Sequence, residues 1–422
     1  MKDLSIFLLL ISIQFTVFAQ SNDQTNDISI GQTIEIESRI LGETRQIFVH
    51  QPKGFWGMDE AMSNFPVVLV LDGESQFLHT VSTVDFLSSA PLGNDIIPRS
   101  LVVGIANTNR DRDLTPIKGV IANDSTTLEI TGGGKTFLSF ITEELIPFIE
   151  ANYSTSNHRT IIGHSLGGLI AFEALLRKRG YFNNYIAIDP GLGYADEIYM
   201  QEVLDTLNHA DLSTENLYFA AGNTRPTFLT DEDLLTDDSD FMKLTDIPNR
   251  KFINETEKNE WSLNLTSKHY PADNHFSIPL KATDDALRTF YQYYSFPEII
   301  DYYHPKYKNK SGLIEKIEAH YKMISSKMGY EVIPMVGYIN SFAFGIAPSG
   351  RMDLAIALFE YNIELHPNNP VVYNNIGYFY MSQGNKQGAL KAFKKSVQLK
   401  FDDYILGLVE SLEKEIADDN KG

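Results

Sequence analysis

The chain has 422 residues, 43% hydrophobic and 21% charged, enough for more than one globular domain with a sizeable buried core. Its formal net charge of −20, from 35 Lys and Arg against 55 Asp and Glu, argues against nucleic acid or an anionic membrane surface as a partner. Cysteine is absent, which excludes disulfides, thiolate catalysis and cysteine-based zinc sites.

The chain opens with Lys2 and an apolar stretch from Ile6 to Phe18, interrupted by Gln14 and ending in Val17-Phe18-Ala19-Gln20. Small residues at the −3 and −1 positions predict a signal peptide over 1–19, cleaved after Ala19, and a periplasmic or extracellular mature chain. No other segment reaches the ~20 apolar residues of a membrane span, so no integral membrane segment is expected after cleavage.

Residues 28–300 alternate strand-like and helix-like segments. Ile34 to Glu37 and Gln46 to Val49 alternate apolar with polar residues, as half-buried antiparallel strands do. Pro66 to Leu71 and Leu101 to Ile105 are unbroken apolar runs, suited to strands covered on both faces. Thr136 to Ile149 has helical spacing, and Thr160-Ile161-Ile162, Tyr185 to Ile188 and Leu217 to Ala220 supply further strands. The pattern predicts an α/β fold: a mostly parallel sheet with helices on both faces.

A connector rich in Tyr, Lys and Pro follows over 301–331, and beyond it, over 332–415, the texture is helical alone. Ala355, Phe359, Ile363 and Leu365 recur 34 positions later as Ala389, Phe393, Val397 and Leu399, the period of tetratricopeptide-like repeats. This predicts a small all-α helical-repeat C-terminal domain. Two repeats are fewer than the three or so that stand alone, so they are expected to pack on the connector or on the first domain. Their surface offers a place for a protein partner, with plain packing as the alternative.

Gly163-His164-Ser165-Leu166-Gly167 fits Gly-x-Ser-x-Gly, with a β-branched strand before it and the helical run Leu169 to Leu176 after it. That is the strand, sharp turn and helix of a nucleophile elbow, in which small residues two positions either side of the serine avoid collision. Ser165 is the expected nucleophile. The Leu166 N–H and the N–H of Gly73 or Glu74, in Asp72-Gly73-Glu74, are the expected oxyanion donors. A serine needs a base, and His275 follows the last strand in Pro271-Ala272-Asp273-Asn274-His275; His269 lies within that strand. The acid would ordinarily follow Leu217 to Gly222 by about three residues, but position 225 is Arg. Asp237, in the acidic stretch beyond, and Asp189, ending Ile188-Asp189, both remain open.

These motifs in order resemble the putative-esterase family of α/β-hydrolases, which includes siderophore and feruloyl esterases. The resemblance rests on Phe65 to Gly73, Val103 to Ile105, Arg110 to Pro116, Phe140 to Pro147, Arg159 to Gly168 and Asp273 to Pro279, and it covers 30–300. The Arg110 to Pro116 segment is most similar to the siderophore-esterase branch. Where that branch commonly has Ser-Pro-Ser and two tryptophans, this chain has Asp189-Pro190-Gly191-Leu192-Gly193-Tyr194. Arg110 and Arg112 are candidates to meet an anionic or catecholate substrate, with ion pairs to Asp111 or Asp113 as the alternative.

The resemblance implies hydrolysis of a small-molecule carboxylic ester through an acyl-enzyme, with no cofactor and no metal. Two other readings stay open: a degraded hydrolase that acts as a binding protein, and transfer of the acyl group to an alcohol rather than to water.

Overall fold

The computed structural model describes residues 29–52, 64–89, 94–119, 130–226, 228, 239, 242–307 and 311–420. The expected signal segment 1–19 and Asp237 lie outside them.

The first two strands, β1 (Gln32–Ser38) and β2 (Glu43–His50), pair antiparallel. After β3 (Phe65–Val70) and helix α1 (Gly73–Leu87), β4 (Leu101–Ile105) pairs antiparallel with β2 and parallel with β3. The chain continues through β5 (Thr155–His164), α2 (Leu166–Arg177), β6 (Asn184–Ile188), β7 (Asn216–Gly222), α3 (Ile247–Lys258), β8 (Asn264–Tyr270) and α4 (Ile278–Phe290). The eight strands form one sheet in the order β1-β2-β4-β3-β5-β6-β7-β8, parallel from β4 to β8. The antiparallel start and parallel remainder match the expectation from sequence.

Both faces of the central strands are buried, which is why their sequences read as unbroken apolar runs rather than alternating ones. Side chains of a strand point alternately to opposite faces. Val67 and Leu69 of β3, Ile161 of β5, and Tyr185 and Ala187 of β6 therefore enter one core, with Leu169 and Phe172 of α2 and Phe252 of α3. Val68, Val70, Ile162, Ile186 and Ile188 enter the other, with Phe77, Val81 and Val84 of α1 and Ala282 and Leu287 of α4.

The second core does not stop at the sheet. It runs on through Tyr294, Tyr302, Ile317, Tyr321, Ile339, Phe342, Phe359 and Phe379 into the C-terminal helices. These are α5 (Leu313–Met328), α6 (Val336–Ile346), α7 (Met352–Leu365), α8 (Pro370–Ser382), α9 (Lys386–Leu399) and α10 (Asp403–Asp419). Helices α6 and α8 start at 336 and 370, and α7 and α9 at 352 and 386, so the sequence period of 34 is also the spacing of the helix starts. Ala355 and Ala389 are fully buried, as are Phe359 and Phe393, because small and large apolar residues alternate where successive helices cross. Helix α10 closes the end with Ile405, Val409 and Leu412 on Ala389 and Phe393. The helical segment thus shares a core with the sheet, as two repeats too few to stand alone require.

Candidate active site

Three residues at the C-terminal ends of neighbouring parallel strands adopt positive φ without being glycine. Asp72 after β3 has φ 53, Ser165 after β5 has φ 57, and Asp189 after β6 has φ 40. Each such conformation costs on the order of 1–3 kcal/mol and persists only where the surroundings impose it. Here the sheet imposes it. The Ser165 N–H donates to the Ile188 carbonyl (3.0 Å) and the Asp189 N–H to the Ala220 carbonyl (2.6 Å), so each strand stays bonded to its neighbour while the chain turns sharply away. The carboxyl ends of parallel strands are where ligands bind in open α/β sheets.

The turn at Ser165 (φ 57, ψ −121) joins β5 directly to α2. A Cβ on Gly163 would stand 1.9 Å from the Gly167 carbonyl oxygen, and one on Gly168 would stand 2.7 Å from Cβ of Pro190. Only glycine fits at either position, whereas a Cβ on Gly167 would come no closer than 3.4 Å to its neighbours, so the steric demand falls on Gly163 of the motif and on Gly168 just beyond it. Leu166 and Gly73 are the first residues of α2 and α1. The first N–H groups of a helix have no acceptor within it and carry the positive end of its dipole. The expected oxyanion donors therefore both sit at helix starts beside the strand ends.

His275 lies in the turn between β8 and α4 and is buried. Its Nδ1–H donates to Asp189 Oδ2 at 2.7 Å. A carboxylate can only accept, so Nδ1 carries the proton and Nε2 is the basic nitrogen of the neutral ring. Asp189, 1% exposed, is held in turn: its Oδ1 accepts from the Gly222 N–H (2.9 Å) and from Asn249 Nδ2 on α3 (3.0 Å). Of the two carboxylates left open by the sequence, Asp189 is the one at His275, and Asp237 lies outside the described residues. His269, the rejected histidine, is in β8 as expected.

His164 precedes Ser165 and reaches the same turn. Its Nε2 is 2.8 Å from the His275 carbonyl oxygen, and the two imidazoles pack against each other in a tilted arrangement with centroids 4.4 Å apart. Burial, reinforced by the neighbouring His275, pushes the His164 imidazole down to about 4, so it is neutral at physiological pH.

The arginines behave differently from the substrate-binding expectation. Arg110 Nε and Nη2 both bond the Asp72 carboxylate (2.7 and 3.0 Å), which also accepts from Asn107 Nδ2 (2.8 Å). Glu74 accepts from the Asn107 N–H (2.7 Å), so the turn bearing Gly73 is clamped on both sides. Arg112 bonds Glu43 through both terminal nitrogens and Asp113 through Nε (2.7 Å). Fully buried Arg45 joins the same two carboxylates. Arg112 is therefore a brace between β2 and the Asp113 segment rather than a group aimed at a ligand. The sequence had offered an ion pair with Asp113, but Glu43 and Asp72 were not foreseen, because those carboxylates are distant in the chain.

Asn249 was also missed. Its signal was available, since it sits on the buried face of α3 between Pro248 and Phe252, where a polar residue needs a partner.

The model of the putative esterase family matches residues 38–241. Ferri-bacillibactin esterase BesA of Bacillus subtilis is 32% identical over 169 residues, which cover 37% of this chain and 57% of that protein; the chain thus spans little more than half the length of this relative. Among solved structures, an IroE-like serine hydrolase from Shewanella oneidensis is 27% identical with a TM-score of 0.64, covering 79% of this chain and 99% of that one. An uncharacterised protein from Capnocytophaga ochracea, 16% identical with a TM-score of 0.55, covers 91% of this chain and 99% of its own, and so shares the fold well into the helical segment. Sequence motifs, sheet order and family match agree: residues 38–241 of this chain match the putative esterase family, and the fold is similar to that of the IroE-like serine hydrolase.

Proposed function

We propose that the protein is a secreted serine hydrolase that cleaves carboxylic esters through an acyl-enzyme on Ser165. The observation that carries the reading is the His275–Asp189 hydrogen bond at the strand ends that also carry the strained Ser165 turn. In this mechanism Nε2 of His275 takes the Ser165 proton as the hydroxyl oxygen attacks the ester carbonyl. The negative charge that develops on the carbonyl oxygen is met by the N–H groups of Leu166 and Gly73. His275 then returns the proton to the leaving alcohol, and water attacks the acyl-enzyme by the same route in reverse. Asp189 orients the imidazole and stabilises its charged form.

The similarity to BesA and to the IroE-like hydrolase supports siderophore or related polyester substrates, with carbohydrate esters as the second class to test. Secretion rests on the apolar segment and small residues before Gln20. The degraded-hydrolase reading had rested on the missing acid after β7, and the Asp189–His275 hydrogen bond speaks against it. The test is hydrolysis of p-nitrophenyl acetate and of trilactone, feruloyl and acetyl-sugar esters by the purified chain, with fluorophosphonate labelling. Ser165→Ala should abolish both hydrolysis and labelling. Wild type no faster than that variant would overturn the proposal.

A further inference from the structure

We infer that His164 is a positioning residue that locks the main chain of His275 against the nucleophile turn through its Nε2–H···O=C bond. The inference rests on the reading of Ser165 and His275 as nucleophile and base. The observations behind it are geometric. His164 is the last residue of β5 and the chain neighbour of Ser165, and its Nε2 lies 2.8 Å from the His275 carbonyl oxygen. A carbonyl accepts only, so Nε2 must carry the proton, and burial keeps the ring neutral with a single N–H. The two rings also touch, with centroids 4.4 Å apart and 41° between their planes.

The consequence is a short mechanical link. His275 stands in a turn after β8, whereas Ser165 stands after β5, and two strands, β6 and β7, lie between them in the sheet. Other bonds hold the turn at neighbouring residues: Asn223 N–H to the Asp273 carbonyl (2.7 Å), and the Asn274 side chain to the N–H groups of Phe276 and Ser277. The bond from His164 grips residue 275 itself and anchors it one residue from the nucleophile. Asp189 sets the direction of the imidazole; His164 sets the distance of its backbone from Ser165.

The test compares His164→Phe, which keeps a flat ring for stacking but has no donor, with His164→Gln, whose amide N–H reaches about as far as Nε2. Two readouts apply: kcat and KM on p-nitrophenyl acetate, and the downfield proton resonance of the His275 Nδ1–H, assigned by its loss in His275→Gln. His164→Phe should lower kcat by about tenfold or more with little change in KM, since small displacements of reacting groups cost rate rather than binding. It should also broaden or shift the resonance, and His164→Gln should restore both. If His164→Phe does not fold, His164→Asn, too short to reach the carbonyl, takes its place. Unchanged kcat and resonance in the donor-less variant would overturn the inference, as would a His164→Gln as impaired as His164→Phe. The resonance is read without turnover, so a wild type that hydrolyses no ester would refute the esterase reading while His164 is still decided.

Discussion

The His275 imidazole donates to Asp189 across 2.7 Å although 86 residues separate the two in the chain. Asp189 stands at the end of β6, one strand earlier than the position after β7 that the fold ordinarily uses. Gly222, at the end of β7, still takes part: its N–H bonds the Asp189 carboxylate.

Asp189→Asn should therefore lower kcat by about 10³–10⁴, because an amide in that place no longer enforces the Nδ1–H tautomer or stabilises the imidazolium. Asp237→Asn, at the other acid the sequence offers, should leave kcat within about twofold of wild type if Asp189 alone serves His275. Steady-state kinetics on p-nitrophenyl acetate with the two purified variants decides the point. Equal losses in both would remove Asp189 from its role.

The two arginines should separate by assay. Arg110→Ala frees the Asp72 turn that carries Gly73, and loss of one oxyanion donor costs about 10²–10³ in kcat. Arg112→Ala leaves Glu43 and buried Asp113 with Arg45 as their shared cation, so its effect should be a lowered melting temperature with kcat retained by the folded fraction. Thermal melts and kinetics on both variants check this.

Asp95 is a buried acid under the C-terminal helices, with Tyr321 donating to its Oδ2 at 3.2 Å. Burial pushes its carboxyl up to about 7, only partly opposed by that bond. The folded state therefore holds a proton that the unfolded chain loses near 3.8, and the resulting stability is present at low pH and lost as pH rises towards 7. Asp95→Asn should melt higher than wild type at pH 8, by an amount on the order of 4 kcal/mol at most, and the gain should vanish near pH 4. Melting curves across that range read it; a pH-independent difference would count against the assignment.

Histidines give the opposite slope. Burial pushes His79, His158 and His164 each down to about 4 from an ordinary 6.5. The unfolded chain takes up protons first, so stability is full above 6.5 and falls as pH drops through the window to 4. His158→Asn should flatten that fall by about 1.4 kcal/mol per pH unit, as measured by urea unfolding at pH 6.5, 5.5 and 4.5.

What the sequence determined by itself was whatever is encoded locally. The elbow was legible because Gly163, Ser165 and Gly167 lie within five residues, and the steric requirement on Gly163 comes from the Gly167 carbonyl inside the same turn. The doubly covered strands were legible because burial on both faces removes polar residues from the run itself, and the repeats because a helix pair of fixed length restarts every 34 residues. The tertiary structure alone decided which partner each charge or imidazole found. Asp189 and Asp237 were equivalent as text, and what holds Asp189 beside His275 depends on where β6, β7 and α3 bring Gly222 and Asn249. Arg110 reached Asp72 and Arg112 reached Glu43 for the same reason: a long side chain bonds whatever the fold sets within its reach, and chain separation carries no information about that distance.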